Sequence, residues 1–205
     1  MFNIQNQDIF SYIGKADAIC ITTNGYINKQ GLAVMGRGCA KESIKYWNDI
    51  QKILAQKIKE NGNVVNFLLQ EQGTWIISFP VKPTVIKNTD INLILPHLRK
   101  IYANKEYIPG FATYADLSII ENSAKQLKEL ADTMGFKKIV LPLPGCGAGG
   151  LKPWKVLPIL NKYFDERFIV CVKEEPYPNY VDFLKLLAEN NGKLQKTMVN
   201  FLMLL

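Results

Sequence analysis

Residues 138–150 read Lys138-Ile139-Val140-Leu141-Pro142-Leu143-Pro144-Gly145-Cys146-Gly147-Ala148-Gly149-Gly150, an apolar run that breaks into the most glycine-dense stretch of the chain. A short continuous apolar run of this kind is the signature of a strand buried on both faces. In open α/β sheets the loop that leaves such a strand toward a helix is the ligand crevice. Residues 16–23 (ADAICITT) repeat the arrangement, ending at Asn24-Gly25 and followed by a glycine-bearing loop through Gly38. Glycine lets backbone N–H groups approach a ligand closely, and the start of the next helix adds partial positive charge. One such loop suits a phosphate and two suit a diphosphate. A plain tight turn explains either loop alone but explains the pair less well.

Working outward, Ala40, Ile44, Trp47, Ile50, Leu54 and Ile58 recur every three or four residues and stop at Asn61-Gly62, which predicts one long helix. Residues 64–69 and 75–79 read as strands joined through Gln72-Gly73. Residues 80–113 are irregular and proline-punctuated, with one helix expected near 91–102, and suit a lid or an insertion. Asp116 reads as the N-cap of a helix closed by Gly135, and Pro153 as the first residue of another reaching Tyr163. Residues 168–172 are a last buried strand, and residues 180–205 read as helical with a break at 190–192. Alternating strands and helices with one hairpin-like pair predict a single α/β domain, a mixed sheet with helices on both faces.

Composition narrows the chemistry. The 205 residues are 48% apolar and 21% charged, an ordinary globular balance that excludes disorder as a class. Four cysteines (Cys20, Cys39, Cys146, Cys171) stand far apart without a CxxC pair, and with the single histidine, His97, they leave no zinc-ligand pattern. Reduced thiols, no basic-plus-apolar leader and no apolar stretch of about 18 residues predict a cytoplasmic protein without a membrane partner. The net charge of +7 permits a nucleic-acid or a smaller anionic partner. The basic residues are scattered over helix-like segments, as solvated faces also would be.

Literal motifs mislead here. Gly31 to Arg37 has P-loop glycine spacing but lacks the Lys-Ser/Thr that holds phosphate and Mg²⁺. Gly145, Gly147 and Gly150 match a dinucleotide fingerprint, yet only about one βα unit follows and the acidic candidates Asp165 and Glu166 precede the next strand instead of ending it. Asn24, ending a buried strand, can orient a ribose hydroxyl through its carboxamide. Lys41 and Lys45 follow the first loop and can face a ligand or solvent. Cys146 is a reactive thiol or a small residue packed beside glycines, and His97 reads as a solvent-exposed histidine.

These residues resemble the macrodomain family of ADP-ribose-binding and ADP-ribose-processing modules. The match rests on Gln7-Asp8-Ile9, on Thr23-Asn24-Gly25 through Val34-Met35-Gly36-Arg37-Gly38-Cys39-Ala40, and on residues 141–151, in that order. The resemblance implies a three-layer α/β/α fold with a mixed central sheet over residues 1–175, interrupted by an insertion at about 81–113. A C-terminal helical extension at 176–205 would pack on the same domain. It implies that Asp8 and Ile9 hold adenine and that Asn24 holds the distal ribose. The backbone of Val34, Met35, Gly36, Arg37 and Gly38 would bind one side of the diphosphate. The backbone of Gly145, Cys146, Gly147, Ala148, Gly149 and Gly150 would bind the other.

The pattern is most similar to the branch that removes ADP-ribose from nucleic acid or acidic side chains. That branch implies a catalytic lysine on the helix after the first loop. The expected position falls on Ile44, flanked by Lys41 and Lys45, which with Asn24 are the catalytic candidates. Gly149 and Gly150 stand where some members have an aspartate, and Lys152 replaces a position often acidic. The implied partner is ADP-ribose or an ADP-ribosylated protein or nucleic acid, with no cofactor and no metal. The implied reaction is hydrolysis at the anomeric carbon of the distal ribose, on a conjugate or on a derivative such as ADP-ribose 1″-phosphate. The alternatives are a non-catalytic sensor or sequestering protein for ADP-ribose or a cyclic relative, and a basic nucleic-acid-binding protein.

Overall fold

The computed structural model describes residues 1–172 and 180–191. The chain opens on β1 (Asn3–Asn6), which sequence reading missed, and a 3₁₀ turn at Ile9–Tyr12. Next come β2 (Ala18–Asn24), α1 (Gly38–Ser43), α2 (Ile50–Asn61), β3 (Asn66–Glu71) and β4 (Thr74–Lys82). A small excursion holds β5 (Val85–Lys87), two 3₁₀ turns, α3 (Arg99–Tyr102) and β6 (Tyr107–Pro109). The chain then returns through α4 (Leu117–Met134), β7 (Ile139–Pro142), α5 (Pro153–Tyr163), β8 (Phe168–Val172) and α6 (Tyr180–Glu189).

The central sheet has the order β1-β8-β7-β2-β4-β3, parallel throughout except for β3, which runs antiparallel to β4. Alternation along the central strands sorts the core into two layers. Ala18, Cys20, Ile77, Phe79 and Leu141 face one way, under α4, α5 and α6. Ile19, Ile21, Ile76 and Val140 face the other way, onto α2 and the Ile9–Tyr12 turn. Each fully buried isoleucine removes enough apolar area to contribute about 1.5–3 kcal/mol. The three-layer α/β/α reading therefore stands. No helix among the described residues is long and apolar enough to cross a membrane.

Two local expectations change. The periodic run 40–58 is two helices, because residues 44–49 form a turn in which Tyr46 and Trp47 stack around Phe10. Aromatic packing overrides the helical period there. The helix expected near 91–102 is two 3₁₀ turns and only four α-helical residues, since Pro96 cannot donate the amide a continuous helix needs. The Asp116 cap is as expected: its carboxylate accepts from Ser118 N at 2.7 Å and Ile119 N at 3.4 Å, an arrangement that contributes about 1 kcal/mol. Of the helical stretch expected over 180–205, α6 covers the first ten residues, and 192–205 lies outside the described residues.

Candidate functional site

A cavity of about 430 Å³ opens at the carboxyl ends of β2, β4 and β7. Thr22, Thr23 and Asn24 end β2 along one side, Val81 and Lys82 end β4, and Pro142 ends β7 with Leu143 just beyond it. The loop from Val34 to Ala40 forms a second side, and Gly145, Gly147, Ala148 and Gly149 a third. Leu95, His97, Leu98 and Phe111 complete the wall from segment 83–113. That segment, legible only as irregular in the sequence, carries its own small core of Ile94, Ile108 and Ala112.

Both loops present unspent backbone donors. Among the described residues, the N–H groups of Met35, Gly36, Arg37, Gly147, Ala148 and Gly149 have no protein acceptor. A Cβ built on Gly36, Gly38 or Gly147 would meet nothing within 4 Å, so the backbone there borders open space. Gly149 differs, since its Cβ would stand 2.4 Å from Gly145 O and 2.8 Å from Ala115 Cβ. α1 is only six residues long, so the aligned helix that was to lend its dipole to the first loop is absent. The positive charge at the cavity comes instead from side chains.

The principal charge is Lys82, which sequence reading passed over. It is 6% exposed, and no carboxylate among the described residues pairs with it. Its Nζ donates to Phe111 O at 3.3 Å and to Ala148 O at 3.1 Å, tying β4 to the segment 83–113 and to the second glycine loop. Burial, with help from the nearby Arg37 charge, pulls its pKa down to about 8.

A register shift between Thr23 and Asn24 sets Lys82 directly opposite Asn24, leaving Val81 as the extra residue of a bulge. The displaced carbonyls are all satisfied. Ser123 Oγ donates to Pro80 O at 2.8 Å, Asp116 N to Val81 O at 2.9 Å and Asn63 Nδ2 to Lys82 O at 2.9 Å. A lysine that ends an apolar strand in the same slot as Asn24 and Leu143 was the available signal.

Asn24 lines the cavity, but its carboxamide also shapes the first loop. Nδ2 donates to Val34 O at 2.8 Å and Oδ1 accepts from Tyr26 N at 2.9 Å. Lys41 and Lys45 are exposed and do not line the cavity. Ala40 and Ser43 turn the buried face of α1 inward, so both lysines project into solvent. Asp8 and Ile9 also lie off the cavity wall. Asp8 caps the 3₁₀ turn by accepting from Phe10 N at 2.9 Å, and Ile9 is buried in the lower core. Cys146 and Gly150 stand behind the second loop rather than on its cavity side. Burial pushes the Cys146 thiol up to about 12, so the packed-cysteine reading holds. His97 is exposed, as expected, yet borders the cavity mouth.

No protein-family model and no curated protein matches the sequence. Solved structures do match the fold. The macrodomain of Mycobacterium tuberculosis DarG aligns at 16% identity and TM-score 0.56, covering 84% of this chain and 99% of that one. A mutant Oceanobacillus iheyensis macrodomain aligns at 18% identity and TM-score 0.53, covering 91% and 92%. Thermosipho africanus DarTG in complex with ADP-ribose aligns at 18% identity and TM-score 0.56, where 91% of this chain spans 44% of that one. The chain has the macrodomain fold.

Proposed function

Taking the macrodomain fold as premise, we propose that this protein binds ADP-ribose and removes it from a conjugate by hydrolysis at the anomeric carbon. One observation carries the binding half: six residues with unspent N–H groups, from two loops, line a cavity whose wall includes Arg37 and Lys82 and, among the described residues, no carboxylate. Such a surface is complementary to a diphosphate. A solved relative of this fold holds ADP-ribose, which supports the same reading. On the proposed reading the diphosphate lies between the first loop and Gly147 to Gly149, and Asn24 faces the distal ribose with its remaining N–H. The adenosine reaches toward Asp8 and Ile9 beyond the end of β1.

Lys82 replaces Lys41 and Lys45 as the group acting on the reaction. Its pKa near 8 leaves an appreciable amine fraction at neutral pH, able to take a proton from an attacking water. The bond breaks with oxocarbenium-like charge on the ribose. Holding diphosphate and sugar in place supplies much of the barrier reduction.

Isothermal titration with ADP-ribose tests binding, with Gly147→Val as the control that fills the cavity and leaves the packing alone. Micromolar binding by the native chain, lost in the variant, is the expected result. A second reading, a non-catalytic binder, is favoured by the two carbonyls that already engage the Lys82 ammonium. Release of ADP-ribose from an ADP-ribosylated protein or oligonucleotide separates the two.

A further inference from the structure

Four side chains of the cavity wall can carry or exchange a proton: Arg37, Cys39, Lys82 and His97. Arginine stays charged at any working pH. Burial pushes the Cys39 thiol upward and leaves it protonated, within 3.2 Å of Thr22 Oγ1. Glycosidic hydrolysis ordinarily divides acid and base between two carboxyl groups, and among the described residues no carboxyl lines this cavity. Two groups remain, one dry and one wet. Lys82 lies at the bottom, while His97 stands exposed at the mouth.

The histidine is held there by its backbone. Its turn, Pro96–Leu98, is flanked by Leu95, whose N–H donates to Ala112 O at 2.9 Å, and closed by Leu98 N donating to Leu95 O at 2.8 Å. Ile94 bridges to Thr113, and Arg99 Nε donates to Ile94 O at 3.2 Å. Leu95 reaches the second glycine loop, since a Cβ on Gly150 would stand 3.5 Å from Leu95 Cδ2. Phe111, on the same segment, supplies the carbonyl that holds Lys82.

We propose that His97 is the general acid of the reaction, placed by segment 83–113 against the group that departs from the distal ribose. The inference rests on the hydrolase reading above. Lys82 as the free amine takes a proton from water as the water oxygen bonds to the anomeric carbon. The bond from that carbon to the leaving oxygen breaks with its electron pair on that oxygen, and the His97 imidazolium gives it a proton. One water is consumed, ADP-ribose and the free acceptor leave, and solvent exchange restores both groups. Imidazole suits the role because its cation donates a proton from either ring nitrogen.

The test has an arm independent of turnover. The chain contains one histidine, so a single imidazole Hε1 resonance reports on His97. Saturating ADP-ribose shifts that resonance if the residue borders the bound sugar. The second arm measures ADP-ribosyl aryl ethers graded from nitrophenol to unsubstituted phenol. His97→Gln is expected near the native rate with nitrophenolate, which departs without a proton, and about 100-fold slower with phenol.

Equal losses across the series, or an unmoved resonance while calorimetry registers binding, overturn the assignment. A native chain that binds ADP-ribose but cleaves none of the ethers overturns it together with the hydrolase reading and leaves the binding reading standing. A native chain that binds no ADP-ribose removes both.

Discussion

The two glycine loops occupy equivalent slots at the carboxyl ends of β2 and β7 and are built on different physical grounds. The first is propped from outside. Asn24 holds Val34 O, and Gln51 Nε2 donates to Ala33 O at 2.9 Å, while Gly36 and Gly38 border open space. The second is packed against itself. Leu151 N donates to Gly145 O and Gly150 N to Gly147 O, each at 3.0 Å, and the Gly149 backbone rests on Gly145. Thus glycine serves the cavity in the first loop and the fold in the second, with Gly147 as the exception. A motif that treats the two runs alike conceals this.

The largest expected effect tests Lys82, among the described residues the one side chain that bonds the second loop and not the first. Lys82→Met should lower ADP-ribosyl release about 1000-fold, equivalent to about 4 kcal/mol, measured by single-turnover kinetics. With the nitrophenyl ether, whose departure needs no proton, the rate of the native chain should rise with pH and level off above about 8 as Lys82 becomes the free amine.

The same lysine carries a stability signature. Its folded pKa of about 8 lies below its ordinary 10.5, so between those values the unfolded chain binds more protons. Stability of the native chain relative to Lys82→Met should therefore climb from pH 8 to 10.5, by up to about 3 kcal/mol in denaturant titrations.

Gly149→Val comes next, because three atoms already stand inside the space it needs. It should cost about 3 kcal/mol, roughly 10 °C in Tm by calorimetry. Asn24→Ala should cost about 1.5 kcal/mol, since it orphans Val34 O and Tyr26 N, and should also weaken binding. Gly36→Val should behave in the opposite manner to Gly149→Val. It should leave Tm within about 2 °C and raise the dissociation constant for ADP-ribose at least about tenfold. A Gly36 variant that unfolds would erase the distinction between the loops. The smallest effect belongs to Lys41→Ala and Lys45→Ala, each within about 0.5 kcal/mol in stability, with release rates unchanged.

What was legible follows the same division. Buried strands announce themselves by continuous apolar composition, so β2, β7 and β8 were readable, as were the Asp116 cap and the Pro153 start. β1 was not, because at a sheet edge Asn3, Gln5 and Asn6 alternate with a single buried Ile4. Lys82 escaped because a lysine after an apolar strand is a weak signal until the bulge sets it opposite Asn24, and a register shift has no local signature. The wall residues Leu95, His97 and Phe111 escaped for a similar reason. Their meeting point depends on how segment 83–113 folds back, which proline and glycine spacing alone does not specify.

That segment leaves and returns through one narrow neck. Gly110 N donates to Thr84 O at 2.7 Å, and a Cβ on Gly110 would lie 1.7 Å from Pro83 O, so the two crossing backbones touch. Val85 lies opposite Pro109 in the short ribbon just beyond. An excursion closed at its base can be shortened or lengthened without re-registering the sheet, provided that Phe111 O still meets Lys82 and Leu95 still meets Gly150. The wall that faces the departing group is thereby an interchangeable cassette, on which selection can work while the diphosphate cradle stays constant.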